Sequence, residues 1–255
     1  ANIGIAMGGR GPDVAREASS LVLLNDDFSS IVDSVKMGRR IFDNLKKAMS
    51  YIFAIHVPIA GLSLLPLLFN KELILFPIHI VFLELIIDPA CSVVFEAQKE
   101  ESNLLNRPPR NVKEPLFGKK NVVLSLLQGL GVLIGCTIIY FIGLDLGKNQ
   151  SEARALAFTT LIIANIGLII INRSWTDSFL TSLKEKNTAF FGVLAGAIIF
   201  MSLALYLPVV RDLFKFSFLH VNDLLLCFVT ALISISWFEI YKKVSKTFHK
   251  SAFGV

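Results

Sequence analysis

Six apolar stretches, near 48–69, 73–95, 121–143, 153–172, 188–208 and 221–241, fill more than half of this 255-residue sequence. Each is long enough to cross a bilayer, because about 20 helical residues at 1.5 Å rise cover a hydrocarbon core ~30 Å thick. Water cannot satisfy backbone groups inside lipid, so such stretches must close their own hydrogen bonds as helices. The sequence therefore predicts a mainly α, polytopic membrane protein built on a six-helix transmembrane bundle. Composition agrees: 54% of residues are hydrophobic and 18% charged, above and below the soluble norm respectively.

A formal net charge of +5 could suggest nucleic acid, but the placement of the charges excludes it. The basic residues lie between the apolar stretches, where they orient helices. One set of links carries Arg39, Arg40, Lys46 and Lys47, then Lys99, Arg107, Arg110, Lys113, Lys119 and Lys120, then Arg173, Lys184 and Lys186, then Lys242, Lys243, Lys246 and Lys250. The alternate links carry only Lys71, Lys148, Arg154, Arg211 and Lys215. This bias predicts six spans with both termini cytosolic, and membrane lipid as a partner. Cys91, Cys136 and Cys227 fall singly in three different stretches, without zinc-like spacing, and read as packing residues.

Ahead of the first span the pattern is different. Ile3 to Met7 and Leu21 to Leu24 are short apolar runs, each closed by turn residues, and Pro12 to Ser19 between them reads as a short helix. Strand, helix, strand is the end of an incomplete α/β sheet, whose remaining strands are expected before Ala1. The loop Gly8-Gly-Arg-Gly11 lacks the Lys and Ser/Thr of a P-loop and is either an ordinary turn or a phosphate cradle. From Phe28 the periodicity turns helical and no proline intervenes before Pro58, so one helix is expected to run from this piece into the first span. The short link Asn70-Lys-Glu72 predicts a tight hairpin between the first two spans.

The second stretch contains Glu84, Asp88 and Pro89 in an otherwise apolar setting. Residues four apart share a helix face, and a carboxylate at mid-membrane costs about 2.5–3.5 kcal/mol on insertion scales. Pro89 has no N–H and leaves the carbonyl of Leu85 without its helical donor. Two carboxylates beside a freed carbonyl form an all-oxygen set suited to a hard cation. The other reading is a structural pair neutralised by a buried base, for which His56 and His79 are the nearby candidates. Asn165, midway along the fourth stretch, is either interhelical glue or an ion ligand. Gly129, Gly131 and Gly135 in the third stretch permit close helix contact. No Gly-x-Ser-x-Gly turn appears, which argues against an intramembrane protease.

The runs Ala1-Asn-Ile-Gly-Ile-Ala-Met-Gly8, Gly11-Pro-Asp-Val-Ala-Arg-Glu-Ala18, Leu21-Val-Leu-Leu-Asn-Asp-Asp-Phe-Ser-Ser-Ile-Val32 and Gly38-Arg-Arg-Ile-Phe-Asp-Asn-Leu-Lys-Lys47 resemble the end of the phosphorylation domain of P-type cation-transporting ATPases. The six spans resemble that family's last six transmembrane helices, in its calcium-pump-like and sodium-pump-like branch. The resemblance implies a HAD-like, Rossmann-type origin for the α/β piece and an ATP-driven pump working through an aspartyl-phosphate. The family's Asp-Lys-Thr-Gly-Thr motif, which carries the nucleophilic aspartate, and its Gly-Asp-Gly-x-Asn-Asp motif, which holds Mg²⁺ next to it, do not occur in this sequence; they, with the binding of ATP, are expected in an upstream part of the same pump. This chain alone is expected to be inactive and to be the transport half.

The resemblance further implies ion-binding roles. Asp88 matches the aspartate bridging cation sites in calcium and sodium pumps; Glu84 falls where the former have Asn and the latter Asp. His56 and Ile59 stand where two-site calcium pumps carry Asn and Glu, and Asn165 where they carry a Glu ligand. The implied cargo is Ca²⁺ or another divalent ion, one per cycle, with Glu84 and Asp88 as metal ligands and Leu85, His56 and Asn165 as further ion-binding positions. Pro89-Ala-Cys91 is not the Cys-Pro-Cys of heavy-metal pumps. A monovalent pump, a passive channel or secondary transporter, and a simple membrane anchor are the alternatives; the second lacks the internal repeat such proteins show, and the third leaves the carboxylates unexplained. The expected division is 1–35 end of the phosphorylation domain, 36–47 stalk helix, 48–95 first hairpin with the cation site, 96–120 cytosolic loop, 121–241 four further spans and 242–255 cytosolic tail.

Overall fold

The computed structural model describes residues 3–101, 103–109, 118–175 and 179–252. They fall into two compact units, one formed by 1–43 with 99–110 and the other by 44–98 with 111–255.

In the first unit, β1 (Ile5–Met7), α1 (Asp13–Ala18) and β2 (Leu21–Leu23) appear in the expected order. The two strands are parallel, with Ile5 opposite Leu21 and Met7 opposite Leu23. The turn after β1 is tight: the Gly11 N–H donates to the Met7 carbonyl over 3.1 Å, and a Cβ on Gly11 would sit 2.3 Å from that same oxygen. Only glycine fits there. Asp26 closes the loop from the other side, accepting from the Gly9 N–H at 2.9 Å and from Arg10 Nε at 3.1 Å. The Gly9 N–H bond, with Arg10, holds the Asp26 carboxyl below the usual carboxylate range. Residues 103–109 lie along the first part of α2 (Ser29–Leu68): Arg39 donates to the carbonyls of Leu104 and Arg107, both at 2.9 Å, and Arg107 pairs with Asp43 at 2.6 Å.

The second unit is the helical bundle. It holds the remainder of α2, then α3 (Pro77–Pro89), α4 (Lys119–Asp145), α5 (Gln150–Arg173), α6 (Phe179–Lys184), α7 (Thr188–Tyr206), α8 (Pro208–Leu213) and α9 (Val221–Ala252). Among the described residues six helices are long and apolar enough to cross a membrane. The centre is α5: between Ala153 and Arg173 only Ile163 and Ile166 are less than fully buried. A helix apolar on every face must be surrounded, and α4 and α9 pack against it and against each other.

Close approach between these helices depends on the α4 glycines. A Cβ on Gly129 would lie 2.2 Å from the Ala54 carbonyl oxygen of α2, and one on Gly131 2.8 Å from the Ser234 carbonyl oxygen of α9. Small residues let backbones meet where lipid supplies no hydrophobic drive between helices, as expected from the sequence.

The hairpin between the first two spans departs from expectation. The second span was expected from 73 across a link of three residues; α3 instead begins at Pro77, after a non-helical link through 69–76. Local chemistry explains the shift. Pro77 suits the first helical position, and the Phe76 N–H donates to His79 Nδ1 at 3.0 Å, a cap that fixes the start. Arg154, buried under this link, donates to the Leu73 carbonyl at 3.2 Å and the Lys215 carbonyl at 3.0 Å. The bond to Leu73 engages the link in a non-helical conformation where apolar composition alone suggested helix.

Candidate cation site in the membrane

The α3 helix packs through Phe82, Leu83, Ile86 and Ile87, all buried. Glu84 is half-buried and Asp88 exposed, so both carboxylates lie on the face that the described residues leave uncovered. At 100° per residue they are separated by about 40° around the helix, one turn apart. The helix then changes character. Pro89 has no N–H to give the Leu85 carbonyl; the Ala90 N–H still reaches Ile86, and Ala90–Val94 then forms a π-helical turn in which the Phe95 N–H reaches back to the Ala90 carbonyl at 3.1 Å. Such turns widen a helix and often accompany functional sites. The Leu85 carbonyl stands one turn before this break, with its side chain exposed. The Ser92 hydroxyl donates to the Asp88 carbonyl at 2.7 Å, and Cys91, partly buried, lies within electrostatic reach of both carboxylates.

The other predicted positions are distributed differently. Asn165 is fully buried on α5 and its Oδ1 accepts from the Tyr51 hydroxyl at 2.6 Å, while its Nδ2 has no partner among the described residues. Tyr51, also fully buried, lies within electrostatic reach of Glu84 and Cys91 and packs against Phe95, ring centroids 5.5 Å apart. The Tyr51–Asn165 bond ties α2 to α5. His56 is five residues further along α2, about 140° around the helix from Tyr51; it is exposed, and its Nδ1 bonds the Ile52 carbonyl at 2.8 Å.

His79 is not a counter-charge for the pair. Its Nδ1 accepts from Phe76, so Nε2 carries the proton and donates to the Phe214 carbonyl at 2.8 Å, the neutral tautomer. Phe158, Phe214 and Phe216 enclose the ring, with centroids 5.0, 5.5 and 4.8 Å away. Among the described residues no three His, Cys, Asp or Glu side chains lie close enough to hold a metal ion together. What α3 brings to one place is two carboxylates and a helix break, while the buried Tyr51–Asn165 pair lies between α2 and α5.

Sequence reasoning passed over Tyr51, and it passed over the polar clamp beyond the π turn. Arg173, with no exposed side-chain surface, donates through Nε to Gln98 Oε1 at 2.8 Å and lies 3.6 Å from the Glu185 carboxylate. Asn187 donates to the Val94 carbonyl at 3.0 Å and caps α7 at Phe190. Tyr51 carried a usable signal, since a hydroxyl in an apolar stretch needs a buried partner; the clamp joins residues far apart in sequence and carried none.

The comparisons with known proteins bear on the same residues. The family described as cation transporting ATPase, C-terminus, matches residues 72–244. A calcium-transporting ATPase of Bacillus subtilis is 32% identical over 84% of this chain and 24% of its own length. A calcium-transporting ATPase of Listeria monocytogenes is 30% identical over 98% of this chain and 28% of its own length. The human calcium-transporting ATPase type 2C member 1 is 29% identical over 98% of this chain and 27% of its own length. The chain therefore spans about a quarter of the length of these relatives.

Proposed function

This chain belongs to the cation-transporting ATPase family, as its C-terminal region, and on that footing we propose that it is the ion-carrying half of an ATP-driven P-type pump for Ca²⁺ or another divalent cation. The observation that carries the reading is the Glu84–Asp88 pair on the uncovered face of an integral membrane helix that breaks at Pro89. Two carboxylates bring a charge near −2, which balances a divalent ion, and the Leu85 carbonyl adds a neutral oxygen. The names of the relatives support calcium as cargo.

In this reading Glu84 and Asp88 are the principal ligands. His56 and Asn165 are assigned as further ion-binding positions, offering a nitrogen and an amide oxygen, and the remaining ligands come from the rest of the pump. ATP, Mg²⁺ and the phosphorylated aspartate belong to upstream domains, so this chain by itself does not hydrolyse ATP. Both termini face the cytosol. The exposed apolar residues of the α/β piece, Ile5, Leu24 and Phe28 among them, are surface for those domains to cover.

The test uses the complete pump. Asp88→Asn should still bind ATP but lose cation-triggered phosphorylation from ATP, with Glu84→Gln weakening cation dependence in the same assay. Undiminished phosphorylation of Asp88→Asn at ordinary cation concentrations would remove Asp88 from the ligand set. An ion screen of ATPase activity separates Ca²⁺ from Mn²⁺, Mg²⁺ and monovalent cargo.

A further inference from the structure

Outside the six candidate spans, the short apolar helix α8 lies in the link between α7 and α9. It follows α7 without a break, because Leu207 caps the end of one helix and the start of the other. Pro208 takes the first helical position, where a missing N–H costs nothing. The far end is closed as firmly: the Lys215 N–H donates to the Asp212 carbonyl at 3.1 Å and the Phe216 N–H to the Arg211 carbonyl at 3.0 Å, with Lys215 in the left-handed region at φ 52°. This pair of bonds is a Schellman closure. So α8 is a built element with fixed faces.

One of those faces is anchored. Val210 packs against the core and Phe214 is buried, while the carbonyls that follow the helix, Phe214 and Lys215, accept from His79 and Arg154. The neighbouring face is bare. Val209 and Leu213 are four residues apart, about 40° around the helix, and they are 79% and 61% exposed. Asp212 lies beyond them on the outward side, its side chain 78% exposed. Going round the helix, the order is a carboxylate, the bare apolar pair, the buried pair and Arg211.

The bare pair also extends a surface that is already there. Leu203, Tyr206 and Leu207 are exposed along the end of α7, a spanning helix with most of its surface uncovered, and Phe218 and Val221 are exposed where the chain enters α9. Tyr206 and Phe218 meet edge to face with centroids 5.2 Å apart, and the Tyr206 hydroxyl donates to the Leu219 carbonyl at 3.3 Å. An aromatic ring with a polar tip is what settles at the membrane–water boundary. The apolar face of α8 is therefore continuous with the lipid-facing side of α7 and begins where that span ends.

We infer that α8 is an interfacial foot that docks on the bilayer, with Val209 and Leu213 entering the boundary between headgroups and acyl chains and Asp212 remaining in water. An amphipathic helix lying in that plane buries its apolar side about 5–10 Å deep. The occupant is lipid because α8 is held at the membrane surface by the span it continues, one residue away. Through His79 and Arg154 the foot also fixes the start of α3 relative to that surface. The assignment requires that α7 and α9 span a bilayer; it is independent of Glu84 and Asp88 as cation ligands and of which side this end faces.

Site-specific photo-crosslinking in the complete pump, reconstituted in phosphatidylcholine nanodiscs, tests this. Benzoylphenylalanine is placed in turn at Val209, Leu213 and Asp212, all exposed positions, and the adducts are identified by mass spectrometry. Phospholipid adducts should form at Val209 and Leu213 and fall to background at Asp212. Equal lipid yield at all three positions overturns the inference, since the helix then has no oriented face in the bilayer. A protein adduct at Val209 or Leu213 overturns it in favour of a partner chain, and the absence of any adduct there overturns it in favour of water. Val209→Trp gives an independent reading: the fluorescence it adds to that of the wild type should be quenched by bromine-labelled phospholipid and not by aqueous iodide. The reverse pattern also overturns the inference.

Discussion

Asn165 shows how a single residue can be legible in kind and not in role. Its burial and its bond from Tyr51 are what an interhelical tether requires, and an amide oxygen is equally a ligand for a hard cation. A double-mutant cycle separates the two. Tyr51→Phe and Asn165→Leu should each destabilise the detergent-solubilised pump by about 1 kcal/mol, with coupling near the ~0.6–1.7 kcal/mol range of membrane hydrogen bonds. If the pair is only a tether, the half-saturating cation concentration stays where it was in both variants; a large increase confined to Asn165→Leu makes it a ligand. Asp26 offers a pH test at the same scale. Its carboxyl is depressed in the folded loop, chiefly by the Gly9 N–H. The stability it contributes is present above the unfolded value near ~3.9 and is lost as pH falls through the lower folded value. The protection of the Gly9 amide, its exchange rate relative to the intrinsic rate at each pH, should fall on acidification in that window, and Asp26→Asn should abolish that pH dependence.

The α3 element derives its shape from two prolines. Pro77 sets where the helix begins and Pro89 where the α-ladder gives way to the π turn, so the carboxylates sit immediately before a break. Pro89→Ala returns an N–H to position 89 and should restore a regular helix through Cys91. The expected result is a pump that folds normally but needs about tenfold more cation for half-maximal phosphorylation, the scale seen when groups supporting metal ligands are lost. Unchanged cation dependence would show that the break is not part of the site. In α4, Gly129→Ala drives a methyl into the Ala54 carbonyl; overpacking of this kind costs about 1–3 kcal/mol, readable as a lowered melting temperature with cation selectivity intact.

Across the molecule, the bundle is held at its two ends by buried polar ties, the reverse of what an apolar composition suggests. Arg154 and His79 secure the links at one end; at the other, Arg173, Gln98 and Asn187 connect the end of the π turn to the start of α7. Removing one partner of such a tie leaves the others desolvated and unpaired, at about 3–5 kcal/mol. Arg173→Met should therefore lower the yield of folded pump far more than a surface arginine change such as Arg211→Met, as measured by monodisperse protein after solubilisation.

The sequence by itself determined the membrane class, six spans, the strand–helix–strand start and the unusual Glu84–Asp88–Pro89 run, because hydropathy, helix period and proline chemistry are local properties. The non-helical link through 69–76, the Tyr51–Asn165 pair and the Arg173 clamp were decided only by tertiary structure. Each depends on groups dozens of residues apart meeting at short range, and no periodicity encodes which buried donor will find which acceptor. For the same reason the carboxylate pair could be read as expensive from its spacing alone, whereas the face it occupies, turned away from the packed side of α3, emerged only when the helices were assembled.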